Sequence, residues 1–142
     1  MQARQKTNAI VPADETGIRA IFKHLKQGGL TVILPDHIPK PSGGIYADFF
    51  KQNVLSGTIV PKLAQKTQCN VVGISCIRTN RHSCFDIHCS SISNNIMSKD
   101  LQTSVLCLNQ HMEQMIATIP AQYIWSYKRF RNCYDNHNPY KA

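Results

Sequence analysis

Apolar positions along the chain switch between helical and strand periods, and the switch points divide it into elements. Ile18, Ile21, Phe22 and Leu25 recur at three and four, which is one face of a helix. Asp14 stands where an N-cap belongs, Lys23, His24 and Lys26 fill the last turn, and Gly28-Gly29 stops it. Leu30 to Leu34 is a continuous apolar run ended by Pro35, and it predicts a buried central strand. A helix joined so tightly to a buried strand predicts half of a βαβ unit. A Pro/Gly-rich loop then leads to Phe49-Phe50, and Ser56 or Thr58 caps a second helix with Ile59, Val60, Leu63 and Ala64 on its apolar side. Val71 to Ile77 predicts a second buried strand, with Arg78 at its carboxyl end. Phe85, Ile87 and Cys89 alternate with Asp86 and His88, which predicts a half-buried antiparallel strand. From Asp100 the longest helix runs with Leu101, Val105, Leu108, Met112, Met115, Ile116 and Ile119 on one broad face, and Pro120 ends it.

This alternation predicts an α/β fold, a mixed sheet flanked by helices. Residues 1–13 read as a loose N-terminal segment, 14–131 as the domain and 132–142 as a polar tail that frays. The 142 residues suit one domain, and 42% hydrophobic with 17% charged residues suits a globular one. No run of about 18 apolar residues is present, so no spanning helix is expected. The formal net charge of +8 bears on partners rather than on fold. An anionic membrane surface, a phosphorylated ligand and an acidic protein all fit it. Nucleic acid is not expected, because the basic residues are scattered and no helix-turn-helix or aromatic-interleaved motif accompanies them.

Candidate chemistry adds little at this level. The six cysteines include no Cys-x-x-Cys pair. His82, Cys84, His88 and Cys89 suggest zinc only superficially, since they alternate across a strand in which Cys serves as a small hydrophobe. No metal is expected. Asp36-His37 follows the Leu30–Leu34 run, and ligands in open α/β sheets bind outside the carboxyl ends of strands. Asp36 therefore reads either as a polar group facing a cleft or as a loop carboxylate that caps backbone amides.

The closing stretch Pro120 to Phe130, PAQYIWSYKRF, carries a resemblance. It resembles the signature Pro-x-Gln-Tyr-x-Trp-x-x-(Lys/Arg)-Arg-Phe of the bacterial lipid A late acyltransferases, the lauroyl/myristoyl type. Leu34-Pro35-Asp36-His37 is similar to that family's Pro-Asp motif after a central strand, and Gly44 to Phe50 to its Gly-x-x-x-x-Phe-Phe segment. Thr58, Pro61, Leu63-Ala64, Thr67 and Arg78 fall at matching positions, and Lys51 stands where the family commonly has Gly. The resemblance covers about Gly17 to Arg131. It implies an acyltransferase-like fold at the cytoplasmic face of the bacterial inner membrane. The implied reaction moves a fatty acyl chain from acyl carrier protein to a hydroxyl of a lipid A precursor, without a further cofactor. It further implies substrate-binding candidates Asp36, Phe49, Phe50, Thr58 and Arg78. Lys128, Arg129 and Arg131 become candidates for contact with an anionic membrane or the carrier protein. Each of these has a plainer alternative: a capping role for Thr58, core packing for Phe49 and Phe50, and a solvated face for the cations.

The family's catalytic motif is His-x-x-x-x-Asp/Glu. No histidine here meets it: His24, His37, His82, His88, His111 and His137 are followed at the fifth position by Gly29, Ser42, Ile87, Ser93, Ile116 and Ala142. In the family that motif lies N-terminal to everything matched, after a membrane helix. The expectation is that no catalytic residue lies in this chain and that it corresponds to the C-terminal half of the fold. It would then be a truncated or split enzyme, inactive alone and completed by a separate N-terminal half. The alternative is a non-catalytic remnant or binding module for anionic lipid.

Overall fold

The computed structural model describes residues 10–12, 14–80, 84–135 and 138–141, which fall into two compact units, 1–33 and 34–142. The first holds helix α1 (Glu15–Lys26). Asp14 caps it as its position predicts, its carboxylate accepting a 3.0 Å hydrogen bond from Gly17 N. Gly28 adopts φ 82°, the left-handed conformation that lets the chain leave the helix.

Leu30 to Leu34 does not become the buried central strand. It is irregular, and Leu30, Val32 and Leu34 are 85%, 77% and 58% exposed. Apolar content makes a strand only where a neighbour takes up its N–H and C=O groups. The four strands among the described residues form two antiparallel hairpins and no parallel pair, so no βαβ unit forms among them.

In the second unit, β1 (Gly44–Phe49) and β2 (Gln52–Gly57) form the first hairpin, from Gly44 opposite Gly57 to Phe49 opposite Gln52. Its turn is Phe50-Lys51, with φ of 50° and 60°. Two left-handed residues make the tight turn that matches the twist of the strands. The sequence pattern shows only a Pro/Gly loop here, because this turn contains none of the Gly or Asn residues that usually announce it. Helix α2 (Ile59–Thr67) follows, with Pro61 in its first turn. The second hairpin is β3 (Val72–Arg78) with β4 (Phe85–Ser91), antiparallel as predicted. β4 is exposed along its whole length, however, not half-buried. His82 lies outside the described residues.

Helix α3 (Leu101–Thr118) is the organising element. Asp100 caps it, accepting from Gln102 N at 3.4 Å and Thr103 N at 2.9 Å. The helix packs on both hairpins. Its Leu108 and Met112 join Phe49, Val54, Ala64, Ile96 and Cys133 in one buried cluster. At Gly73 the second hairpin comes so near that a Cβ would lie 2.6 Å from His111 Nε2 and 2.6 Å from Met115 Sδ. The architecture is α/β, with three α-helices and two small antiparallel sheets among the described residues. Composition predicts fraying from Asn132 onward, yet Asn132 O accepts from Leu55 N at 3.2 Å and Tyr134 N donates to Asn53 O at 2.9 Å. These residues lie along β2, with Cys133 buried between them.

Two predictions arise here. Lys51→Gly relieves a left-handed L-residue in an exposed turn and should raise the unfolding free energy by about 1 kcal/mol, read by urea titration. His111, whose Nε2 lies 3.0 Å from Ser90 Oγ, has its pKa lowered by burial from 6.5. The unfolded chain binds that proton more tightly, so the contribution to stability is full above pH 6.5 and is lost as pH falls through the lowered folded value. The melting temperature of His111→Gln should fall less across that window than that of the wild type.

Candidate functional site

The residues from Pro120 to Phe130 alternate short helical turns with bends, and almost every side chain is committed. Gln122 clasps the end of β3: its Oε1 accepts from Arg78 N at 2.8 Å and its Nε2 donates to Arg78 O at 2.9 Å. Trp125 Nε1 donates to Pro120 O at 2.8 Å, closing the stretch on itself. Tyr123 meets Trp125 edge-on at 4.8 Å, and Trp125 lies 6.0 Å from Phe50. Tyr127 receives the Pro35–Pro39 loop. Its hydroxyl accepts from Ile38 N at 3.0 Å, and its ring lies 5.1 Å from that of His37.

Lys128 is left-handed, φ 56°, and the next side chain, Arg129, runs into the interior. Arg129 is 2% exposed. It donates through Nη1 to Leu55 O at 2.9 Å and through Nη2 to Ser56 Oγ at 3.0 Å, and its guanidinium stands 5.4 Å from the Phe49 ring centre. Ser56 Oγ also accepts from Asn109 Nδ2 at 2.9 Å, and the same amide donates to Asp48 O at 2.8 Å. Phe130 then stacks on Phe49 at 5.7 Å.

Two buried polar atoms in this cluster, Tyr123 Oη and Arg129 Nε, have no hydrogen-bond partner among the described residues. Burial pushes the Tyr123 hydroxyl up to about 12, and the nearby Asp36 charge adds to the effect. Burial lowers the Arg129 pKa, while Tyr123 and Asp36 oppose that shift. Among the described residues no carboxylate lies within ion-pair distance of Arg129, and Asp36 has no hydrogen-bond partner. The half-buried Asp36 carboxylate thus lies near enough to act on the charge of the buried Arg129 guanidinium and on the buried Tyr123 hydroxyl.

The structure brings Asp36, Phe49 and Phe50 together with Tyr123, Trp125, Tyr127 and Arg129. Within that group Phe49 is wholly buried core, and Phe50 is half-buried with its N–H donating to Glu113 Oε1 at 2.7 Å. Thr58 stands at the N-cap of α2 but makes no side-chain capping bond; its buried hydroxyl donates to Gly43 O at 3.1 Å. Arg78 is exposed, its guanidinium 4.7 Å from the Phe85 ring. Lys128 and Arg131 are exposed beside Tyr140 and Tyr127. Arg129 is not a surface contact: Lys128 before it is exposed, but its left-handed turn sends Arg129 into the core. Sequence reasoning overlooked Tyr127, Asn109 and Glu113. Tyr127 falls at a variable position of the closing signature, and nothing local marked any of the three. Cavities of about 360 Å³ beside Lys62, Lys66 and Lys99 and of about 480 Å³ beside Cys107 and His111 lie away from this cluster. Among the described residues no group of side chains could hold a metal ion.

A family model described as bacterial lipid A biosynthesis acyltransferase matches residues 1–132, and the chain belongs to that family. A Haemophilus influenzae protein, "Lipid A biosynthesis acyltransferase", is 21% identical over 137 residues, 96% of this chain and 42% of the relative. The chain therefore spans about two fifths of the curated relative's length. No helix among the described residues is long and apolar enough to cross a membrane.

Arg129→Met should lower the unfolding free energy by about 3 kcal/mol, because Leu55 O and Ser56 Oγ lose a charged donor in the interior. Arg129→Lys should recover less than half of that, since an ammonium lacks the fork that spans both acceptors. Lys128→Ala and Arg131→Ala should each change it by about 0.5 kcal/mol or less. Urea titration separates the three classes.

Proposed function

We propose that this chain is the part of a lipid A acyltransferase that shapes one wall of the reaction cleft, and that it is inactive alone. The observation carrying this reading is the docking of the Pro35–Pro39 loop on Tyr127, which brings the Asp36 charge near enough to act on Tyr123 and Arg129. Asp36 orients a polar group of the acceptor. Phe50 contributes apolar surface to the acyl or lipid groove, and Thr58 stiffens the loop at Gly43. Arg78 binds a phosphate of the lipid A precursor, and Lys128 and Arg131 engage an anionic membrane at the cytoplasmic face of the bacterial inner membrane.

The donor is acyl carrier protein. The acceptor hydroxyl attacks the thioester carbonyl, an ester C–O bond forms, the C–S bond breaks, and the hydroxyl proton passes through a histidine base to the departing thiol. No histidine of this chain has an acidic residue five positions on. The base therefore belongs to a polypeptide segment outside residues 1–142, and this chain is a truncated or split form. The same missing motif supports a second reading, a non-catalytic module that binds anionic lipid.

The test is transfer from labelled acyl carrier protein to a lipid A precursor in detergent, with the chain alone and with a polypeptide carrying the His-x-x-x-x-Asp/Glu motif. The mixture should transfer and the chain alone should not, and Asp36→Asn should slow the mixture at least about tenfold. Transfer by the chain alone would move the base to His37 or His82. Binding to anionic vesicles with no transfer in either case would establish the second reading.

A further inference from the structure

The cleft of about 360 Å³ in the second unit lies between α2 and the start of α3, and three exposed lysines flank it. Lys62 and Lys66 come from α2, four residues apart, and Lys99 precedes the Asp100 cap of α3. Local forces do not favour this grouping. Like charges four apart on a helix face each other and repel. Lys66 suits the C-terminal end of α2. Lys62, however, closes the first turn of that helix, and Lys99 stands beside the N-terminal end of α3, where helix dipoles disfavour a cation. The helix α2 contains no acidic residue, and among the described residues no carboxylate lies within ion-pair distance of any of the three. Cations gathered where the local rules resist them mark a surface kept positive for a partner.

The chemistry of the cleft selects among anionic partners. A compact phosphate needs converging donors, and those at the head of α3 are already used. Asp100 accepts from Gln102 N and Thr103 N, and Ser104 Oγ donates to Leu101 O. Hydrogen bonds from the Thr103 hydroxyl and N–H lower the Asp100 pKa, so a negative charge stands at that end and repels phosphate. A planar membrane meets cations that protrude, whereas these flank a hollow that Pro61 and Leu101 also line. An acidic helix fits both features. Carboxylates one turn apart match Lys62 and Lys66, about 6 Å apart along the α2 axis. Lys99 meets the helix from the other side, and an apolar residue covers Pro61 and Leu101. We propose that this cleft docks an acidic helix of the acyl carrier protein that delivers the acyl chain. The inference rests on the reading above that a carrier protein is the donor. Lys62 N donates to Thr58 O at 3.1 Å, and Ser56, two residues before Thr58, accepts from Arg129. One short segment, Ser56 to Lys62, thus connects the cleft to the Asp36 cluster. Lys128 and Arg131 are left to the membrane.

The affinity of the chain 1–142 for acylated acyl carrier protein is read by fluorescence anisotropy at low and high salt. Lys62→Glu, Lys66→Glu and Lys99→Glu should each weaken binding about fivefold and the triple variant at least about fiftyfold, mainly through slower association. High salt should weaken the wild type in the same way. Lys23→Glu, in the first unit, should change the affinity less than about twofold. Lys62→Glu suits the positive end of α2, so its melting temperature should equal the wild type's or rise by about 1–2 °C, which separates lost binding from lost fold. In the transferring mixture the triple variant should raise KM for the carrier and leave kcat unchanged. No binding by the wild-type chain overturns the proposal. So does a loss of affinity confined to Lys128→Glu and Arg131→Glu, or a triple variant that holds the carrier normally but releases anionic vesicles or inorganic phosphate. Transfer by the mixture with an unchanged KM in the triple variant leaves the acyltransferase reading standing and removes this surface. Carrier binding that the triple variant loses, with no transfer by the wild-type mixture, keeps the surface and removes that reading.

Discussion

A guanidinium with no carboxylate partner among the described residues sits at the centre of the second unit. Taking a charge out of water costs several kcal/mol, and Arg129 recovers it from the Leu55 carbonyl, the Ser56 hydroxyl and the face of Phe49. Those contacts fix three things together. They hold the closing signature against β2, they place Ser56 to accept from Asn109 of α3, and they set a positive charge behind Asp36. Loss of the guanidinium would therefore loosen the helix, the hairpin and the candidate site at once.

The rest of the closing signature distributes that anchorage. Gln122 uses both ends of its amide on Arg78, as a paired strand would. Tyr127 takes the Pro35–Pro39 loop, and Phe130 extends the stack on Phe49. A dense set of aromatic and polar residues does here what a third sheet strand does elsewhere. It gathers segments distant in sequence and satisfies their backbone groups.

Against this well-packed centre stand two apolar stretches exposed among the described residues, Leu30 to Leu34 and the outer face of the β3–β4 hairpin. Each has the composition of buried sheet and the exposure of surface. Composition reports what a segment can bury; only a partner decides whether it does.

Local signals determined α1, with its Asp14 cap and glycine stop, and α3, with its Asp100 cap, apolar stripe and closing Pro120. Capping and periodicity act within a few residues, so they survive any context. The antiparallel β3–β4 pair was legible for the same reason, and the spacing of Pro120 to Phe130 showed the family. Tertiary structure alone decided the rest. Leu30 to Leu34 found no neighbouring strand among the described residues to take its hydrogen bonds. Phe50-Lys51 became a tight turn although neither residue favours a positive φ. Arg129, lying in a run of cations that reads as surface, became the most consequential buried residue. The convergence of Asp36, Tyr123, Tyr127 and Arg129 depends on contacts up to 89 residues apart in the chain. No window of sequence contains such a contact, because its energy exists only once the fold has brought the two ends together.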